Sequence, residues 1–333
     1  MLNIKLSYKI IIFGFIFTFF STFGQSFFIG LFNSSIRSDL DISHGQFGSI
    51  YALATLISSF TLIWIGKKID DFKLIHYSIF VVIFLAISAL FFSYVNGIIF
   101  LFIGLFLLRM SGQGLMSHTS TTTISRYFEK RRGKALSVVF LGMSLGEFIL
   151  PVLVVYLLSF IYWRDLWIQV SIIVILTLPL ICFFTIKDIS ILSREKNDEN
   201  KNNNFSSIKN WTRKEVLKDY KFYTILPCLL ASPFIITGVL FHQVHLVETK
   251  SWSLKMFASC YPLYALSAAG ITIAAGWIVD RLSAIYLLRF YLLPLGLGLI
   301  LLSILIIFFL YWLVAKTLQE GKEALNEMSK DNK

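Results

Sequence analysis

The stretch GKKID at residues 66–70 has a counterpart later in the chain, GWIVDR at residues 276–281. Gly66 and Asp70 stand at the same spacing as Gly276 and Asp280, and Arg281 follows the second aspartate. Each copy lies between two long apolar segments. A charged loop repeated at matched places in a hydrophobic chain indicates two halves built from one structural unit.

The composition indicates a membrane protein. Of the 333 residues, 56% are hydrophobic and 33 are Phe, which exceeds what a soluble core of this size could bury. A net charge of +11 would suggest nucleic acid in a soluble chain, but most basic residues here lie on alternate connections between apolar runs. That placement orients a chain in a lipid bilayer. We therefore expect the bilayer as a partner and no nucleic acid.

Nine apolar stretches are long enough for a spanning helix, which needs about 20 residues. They are residues 10–32, 47–65, 74–94, 98–120, 135–158, 166–186, 222–246, 256–279 and 285–314. The first is too long for a signal peptide and lacks a small-residue cleavage site. The last predicts one long ninth helix, kinked near Pro294, Gly296 and Gly298, with further helix over residues 316–326.

The basic residues predict the orientation. Lys67, Lys68 and Lys73 follow the second stretch and a larger basic group follows the fourth, whereas residues 93–96 carry no charge. The positive-inside rule then places the N-terminus in the cytoplasm, in a multi-pass protein of the cell (inner) membrane. We predict four regions: a six-helix bundle (1–186), a polar cytoplasmic linker (187–221), a partial bundle of three spans (222–314) and a charged tail (315–333).

Two further motifs lie inside the apolar stretches. The fourth stretch carries Arg109-x-x-Gly112-x-Gly114, and the fifth carries a spaced pair of glycines before a proline: Gly142, Gly146 and Pro151. Small residues at such spacing allow membrane helices to pack closely.

Together with the repeated loops, these motifs resemble those of the major facilitator superfamily, whose members have two six-helix halves and a Gly-x-x-x-Asp-Arg loop in each. The resemblance implies an all-α membrane protein with a major-facilitator-like bundle, in which both loops act in conformational switching. Asp280 would then approach the start of the fifth span near Gly133 and Lys134, whereas Asp70 would have no such partner. The first loop departs from the family pattern at Asp71, where a basic residue is usual.

A typical family member has twelve spans. We therefore expect the second half to be short by about three helices, either because the chain is a truncated product or because it works with a partner. A homodimer or a complementary fragment would complete the cavity in the second case.

Arg109 and Glu147 are the strongest candidates for a binding site for an anion or a proton inside the membrane. Arg109 precedes the basic residue Arg126 by 17 residues, and Glu147 follows Lys134 by 13 residues. At 1.5 Å per residue, Arg109 and Glu147 lie about 25 and 20 Å from the inner face of the membrane. We expect both to face the bundle interior, within reach of each other or of shared water, with Arg109 attracting an anion and Glu147 carrying a proton. The alternative is a static pair of buried charges.

Four other polar residues are candidates for the substrate or proton pathway: Gln25, Gln113, His242 and His245. The two histidines share one helical face with Glu248, which could hold a metal ion, but a cap of interfacial polar groups is the favoured interpretation. We predict no resident metal and no cofactor.

No nucleotide-binding loop, catalytic triad or zinc signature occurs in the sequence, which argues against an enzyme or an ATP-driven pump. We expect a secondary active transporter, a candidate symporter, that moves a small solute by alternating access, with protons as the candidate coupling ion. The residues around Gln113 and His242 resemble anion and monocarboxylate members of the family. The alternative function is a truncated membrane protein or scaffold that does not transport.

Overall fold

The computed structural model describes residues 4–128, 132–187, 189, 213–249, 251–282, 290, 292–298 and 300. Within these residues the protein is helical and contains no strand. The helices are α1 (Ile4–Ser21), α2 (Ser26–Leu31), α3 (Asn33–Leu40), α4 (His44–Ile65), α5 (Leu74–Ser93), α6 (Ile98–Leu108), α7 (Ser117–Tyr127), α8 (Arg132–Leu157), α9 (Trp163–Ile186), α10 (Arg213–Lys218), α11 (Tyr220–Phe241), α12 (Gln243–Thr249), α13 (Leu254–Ala258) and α14 (Tyr261–Leu282). A 3-10 turn (Thr22–Gly24) follows α1, and a second one (Gly66–Asp70) follows α4. A π-helical segment (Arg109–Met116) lies between α6 and α7.

Eight helical segments of the described chain are long and apolar enough to cross a membrane. They are Leu6–Leu31, His44–Asp70, Leu74–Ser93, Ile98–Tyr127, Arg132–Leu157, Trp163–Ile186, Tyr220–Phe241 and Leu254–Val279. Each corresponds to one of the first eight predicted spans, so the all-α membrane architecture is confirmed. Most of the predicted ninth span (285–314) and the whole charged tail lie outside the described residues.

The residues divide into two compact units, one within 1–210 and 235–282, the other within 211–234 and 283–333. The first unit contains the six N-terminal spans together with α12, α13 and α14. In the second unit, residues 213–218, 220–234 and 293–298 are helical.

Hydroxyl side chains join the spans of the first unit. Thr18 on α1 donates to the Val139 carbonyl on α8 at 2.6 Å, and Ser120 on α7 donates to the Gly14 carbonyl at 2.8 Å. Such bonds satisfy hydroxyls that would otherwise be buried without partners in hydrocarbon. They fix α1 against both α7 and α8.

The repeated glycine at position 276 lies where α14 crosses α8. A Cβ added to Gly276 would come within 2.8 Å of the Ser137 Cβ and 2.9 Å of the Gly133 carbonyl oxygen. Only a residue without a side chain permits this approach, as in small-residue contacts between membrane helices. Gly276 of the second loop motif therefore packs onto the start of the fifth span.

The bundle has two ends with different chemistry. At one end, which we call the basic end, Asp70 pairs with Arg126. At the other, which we call the His44 end because α4 begins there at His44, Asp39 pairs with Arg164 at 2.5 Å. Burial alone would raise the pKa of Asp39, but hydrogen bonds from Tyr162 and Arg164 outweigh it and hold that pKa below its ordinary value.

Candidate functional site

The first membrane span is broken at Gln25. Its backbone is extended, with φ −81° and ψ 152°, between the 3-10 turn that ends at Gly24 and the start of α2. The sequence analysis did not predict this break, although a glycine and polar residues cluster there: Ser21, Thr22, Gly24, Gln25 and Ser26. Broken spans expose backbone carbonyls inside the membrane, and transporters use such carbonyls at binding sites.

Arg109 occupies the space beside this break. Its Nη1 donates to the Gly24 carbonyl at 2.9 Å and to Ser26 Oγ at 3.3 Å, while its guanidinium carbon lies 5.2 Å from the centroid of the Tyr51 ring. The Tyr51 hydroxyl donates to Ser26 Oγ at 2.8 Å, which completes the group. All these partners are neutral, and the contact with the ring is a cation–π interaction.

Glycine allows the arginine to reach that carbonyl. A Cβ on Gly112 would lie 2.6 Å from the Gly24 nitrogen and 2.7 Å from its Cα, so the backbones of the first and fourth spans touch. The contact falls in the π-helical segment that begins at Arg109, a geometry frequent at functional sites. The two residues of the Arg-x-x-Gly motif therefore work together: Gly112 lets the backbones of the first and fourth spans touch, and Arg109 hydrogen-bonds to the Gly24 carbonyl beside that contact.

No carboxylate in the described part of the chain balances the charge of Arg109. Only 4% of the residue is exposed, its Nε has no hydrogen-bond partner in the described part of the chain, and no described carboxylate pairs with it. A charged group at the centre of a span costs about 2.5 to 3.5 kcal/mol on insertion scales. Such a cation is suited to receive an anion from outside the protein.

A cavity adjoins the guanidinium. It has a volume of about 180 Å³ and is lined by six residues from α4 and the Arg109–Met116 segment: Ser58, Ser59, Leu62, Arg109, Gln113 and Gly114. Both serine hydroxyls already donate to the Thr55 carbonyl, at 2.9 and 2.8 Å, so their free lone pairs are acceptors. The cavity is smaller than the roughly 300 to 1,000 Å³ of drug-sized sites. Its lining combines one cation with neutral polar groups and contains no acid.

Glu147 is buried elsewhere in the bundle. It is 7% exposed on α8 and interacts electrostatically with Tyr261 and Tyr264 of α14. It forms no ion pair with Arg109 in the described part of the chain, so these two residues are not in direct ionic contact, and a link through shared water stays a prediction. Counting residues estimates the depth of each group but not the direction in which its helix turns it.

The glycines of α8 explain that direction. Gly142 packs on the Phe15 carbonyl, and a Cβ at Gly146 would lie 2.5 Å from the Thr22 methyl, so this face of α8 is held against the first span. Glu147 is the next residue and is therefore turned about 100° away, toward α14. Pro151 is buried one turn further along the same helix.

Gln25 and the polar residues that follow the seventh span do not form one group. Gln243 is 1% exposed; its Nε2 donates to the Phe27 carbonyl at 2.7 Å, and its Oε1 accepts from the Tyr261 hydroxyl. His242 and His245 are exposed. Gln25 makes only a long contact, 3.6 Å, from its Nε2 to the Met143 sulfur. The buried glutamine, rather than either histidine, therefore joins the seventh span to the first.

The sequence profile of the Major Facilitator Superfamily matches residues 14–317. The chain belongs to the major facilitator superfamily. It is a multi-pass membrane protein, and the resemblance read from its motifs is confirmed.

A solved structure gives the same fold. It is the crystal structure of a bacterial homolog of the human lysosomal transporter Spinster, in an inward-facing and unoccupied conformation, with a TM-score of 0.53 and 17% sequence identity. The similarity covers 83% of this chain and 61% of that one, so the chain spans less than two thirds of its structural relative. No curated protein matches the sequence.

In this major facilitator chain the first of the repeated loops has a partner that the sequence analysis did not predict. Asp70 pairs with Arg126 at the end of α7, and a Cβ at Gly66 would lie 3.4 Å from the His118 ring. Both partners belong to the N-terminal six spans. In the second loop, the Arg281 guanidinium carbon lies 4.1 Å from the centre of the Trp277 ring. The Asp280 side chain lies outside the described part of the structure, so its predicted contact stays a prediction.

Proposed function

We propose that this chain is a secondary active transporter of a small organic anion, a monocarboxylate for instance, and that Arg109 binds the anionic group. The observation that carries the proposal is a buried guanidinium that no carboxylate among the described residues pairs with, beside a small polar cavity. A carboxylate would supply the missing counter-charge, and hydrogen bonds to charged groups contribute about 1.5 to 3 kcal/mol each.

The residues around the cavity favour a small anion over a cation or a large solute. Gln113 can donate through its amide, whereas the serine hydroxyls and the Leu62 side chain offer no negative charge. A guanidinium presents a planar fork of donors that matches two carboxylate oxygens. The Arg109 Nε, without a partner in the described residues, is available for one of them.

Contacts at the His44 end support alternating access. Phe241, at the end of α11, stacks on Tyr51 with ring centroids 3.8 Å apart and on Phe47 at 5.2 Å. These rings join α4 to the span that follows the linker, on the side of Arg109 away from the basic end. Rocking of the two bundles would separate these contacts and open the cavity in the other direction. We place the basic end, and with it the N-terminus, in the cytoplasm.

Glu147 is the proposed proton carrier. It is buried between α8 and α14, close to the tyrosines of α14, and movement of α14 relative to α8 would change its exposure. Because burial disfavours the charged carboxylate, proton uptake and release can follow that movement. This role does not require contact with Arg109.

The test is uptake of radiolabelled small carboxylates by proteoliposomes that contain the purified full chain. We expect saturable uptake that a neutral isostere does not inhibit, lost in Arg109→Gln and reduced in Arg109→Lys. Lys73→Gln removes one exposed positive charge at the basic end and serves as the matched control, with uptake as in the wild type. Anion uptake that survives Arg109→Gln would refute the assignment, and a neutral solute as the transported species would refute the substrate class.

A further inference from the structure

A second polar cluster lies at the His44 end, away from the Arg109 cavity. His44 begins α4, while His245 and Glu248 lie three residues apart on α12 and so share a helical face. The imidazole centroids of the two histidines are 4.2 Å apart, and His44 Nε2 lies 3.5 Å from Glu248 Oε2. One ligand atom from each residue lies within 4.8 Å of the others.

These side chains form a known kind of ligand set for metal ions. Two imidazoles and one glutamate bind zinc in open sites, in which water takes the fourth position. Ligand bonds of about 2.0 to 2.1 Å in a tetrahedron place neighbouring ligand atoms roughly 3.4 Å apart. The cluster would therefore contract by little more than 1 Å to hold an ion, a movement within reach of side-chain rotation. His245 and Glu248 are exposed, so an ion has access.

Arg37 is the nearest competitor for the carboxylate. Its Nη2 lies 3.6 Å from Glu248 Oε2, a distance that weakens the ion pair. Its Nε donates to Asn33 Oδ1 at 2.7 Å, so the guanidinium keeps a partner when Glu248 turns away. The remaining unsatisfied atom is the buried His44 Nδ1, which has no hydrogen-bond partner in the described residues.

We propose that His44, His245 and Glu248 form a binding site for a divalent transition-metal ion of the zinc class. The site joins the start of the second span to the segment after the seventh, across the contact made by Phe241. A bound ion would hold the His44 end closed and inhibit transport from that side. This last consequence rests on the proposed transport function, whereas metal binding does not.

The test measures binding of Zn²⁺ and Co²⁺ to the purified full chain, by equilibrium dialysis and by the visible absorption of bound Co²⁺. We expect one equivalent in the wild type and at least tenfold weaker binding in His44→Ala, His245→Ala and Glu248→Gln. His242→Ala is the matched control, since this exposed histidine lies edge-on to Phe241, outside the cluster. Binding in His44→Ala or His245→Ala that equals the wild type overturns the site, as does an equal loss in His242→Ala.

Two further measurements keep the result interpretable. Size-exclusion profiles and melting temperatures without metal identify variants that fail to fold, and Glu248→Asp, which keeps the carboxylate, should retain part of the affinity. Zn²⁺ added from the His44 side should reduce uptake by the wild type and not by His245→Ala. Intact binding without inhibition would overturn the closing role alone, and inhibition that persists in His245→Ala would do the same.

Discussion

Replacing Gly112 by alanine would place a Cβ 2.6 Å from the backbone nitrogen of Gly24 and 2.7 Å from its Cα. Both are backbone atoms, so no side chain can rotate to relieve the overlap. Non-bonded carbon atoms settle near about 3.5 to 4.0 Å, and the first and fourth spans must therefore separate locally by roughly 1 Å. Overpacking in a tight core typically costs about 1 to 3 kcal/mol. We expect a loss near the upper limit, about 3 kcal/mol.

The local separation of the first and fourth spans would also disturb the site around Arg109. Arg109 lies one turn before Gly112 and donates to the Gly24 carbonyl at 2.9 Å, so moving the spans apart lengthens that bond. Arg109 would then lose its fixed position beside the cavity. Gly112→Ala should therefore lower the melting temperature and weaken anion binding together.

The assay is thermal unfolding of the purified protein in detergent, with and without a bound carboxylate. Gly270→Ala is the matched control, because a Cβ there meets nothing within 4 Å in the middle of α14. An open helical position gains about 0.4 to 1 kcal/mol from alanine. If Gly112→Ala is as stable as Gly270→Ala, the close contact between the first and fourth spans is wrong.

Three other predictions follow from named contacts. Tyr51→Phe keeps the ring but removes the hydroxyl that donates to Ser26, and a net loss of about 1 kcal/mol predicts roughly fivefold weaker anion binding; unchanged affinity would contradict a role for that bond. Because the pKa of Asp39 is lowered in the folded protein, its stabilising effect is present above the unfolded pKa of about 3.9 and is lost as the pH falls through the folded value. Melting temperatures below pH 4 should therefore fall more steeply in the wild type than in Asp39→Asn, and parallel curves would contradict this. Exchanging the charges in the double variant Asp70→Arg, Arg126→Asp should restore the stability lost in each single variant, about 0.2 to 1 kcal/mol for a surface pair, and no coupling in this cycle would refute the ion pair.

Periodicity and charge in the sequence predicted the first eight spans, because a bilayer imposes one length and one polarity on every spanning helix. The same constraints predicted that Arg109 and Glu147 are buried. They could not predict which neighbour each residue meets, since this depends on the rotation of each helix. For α8 that rotation is set by Gly142 and Gly146 against the first span.

Contacts between distant segments were harder still to predict. His44 meets His245 although about 200 residues separate them, and nothing near His44 in the sequence marks it as a ligand. The break at Gln25 was also missed, since the bond from Arg109 of another span to the Gly24 carbonyl cannot be read from the neighbouring residues. Both are tertiary contacts.

Tyr51 gives the proposed transport function a physical route for coupling. Its ring contacts two groups: the guanidinium carbon of Arg109 lies 5.2 Å from the ring centroid, and the Phe241 ring is stacked with a centroid distance of 3.8 Å. A ligand shifts a conformational equilibrium only by binding the two states with different affinity. An anion that draws Arg109 toward the cavity weakens the cation–π contact and the bond to Ser26, and these contacts hold the ring against Phe241. Linkage then requires the reverse effect, so separation of Tyr51 from Phe241 must change the affinity of Arg109 for the anion by the same factor.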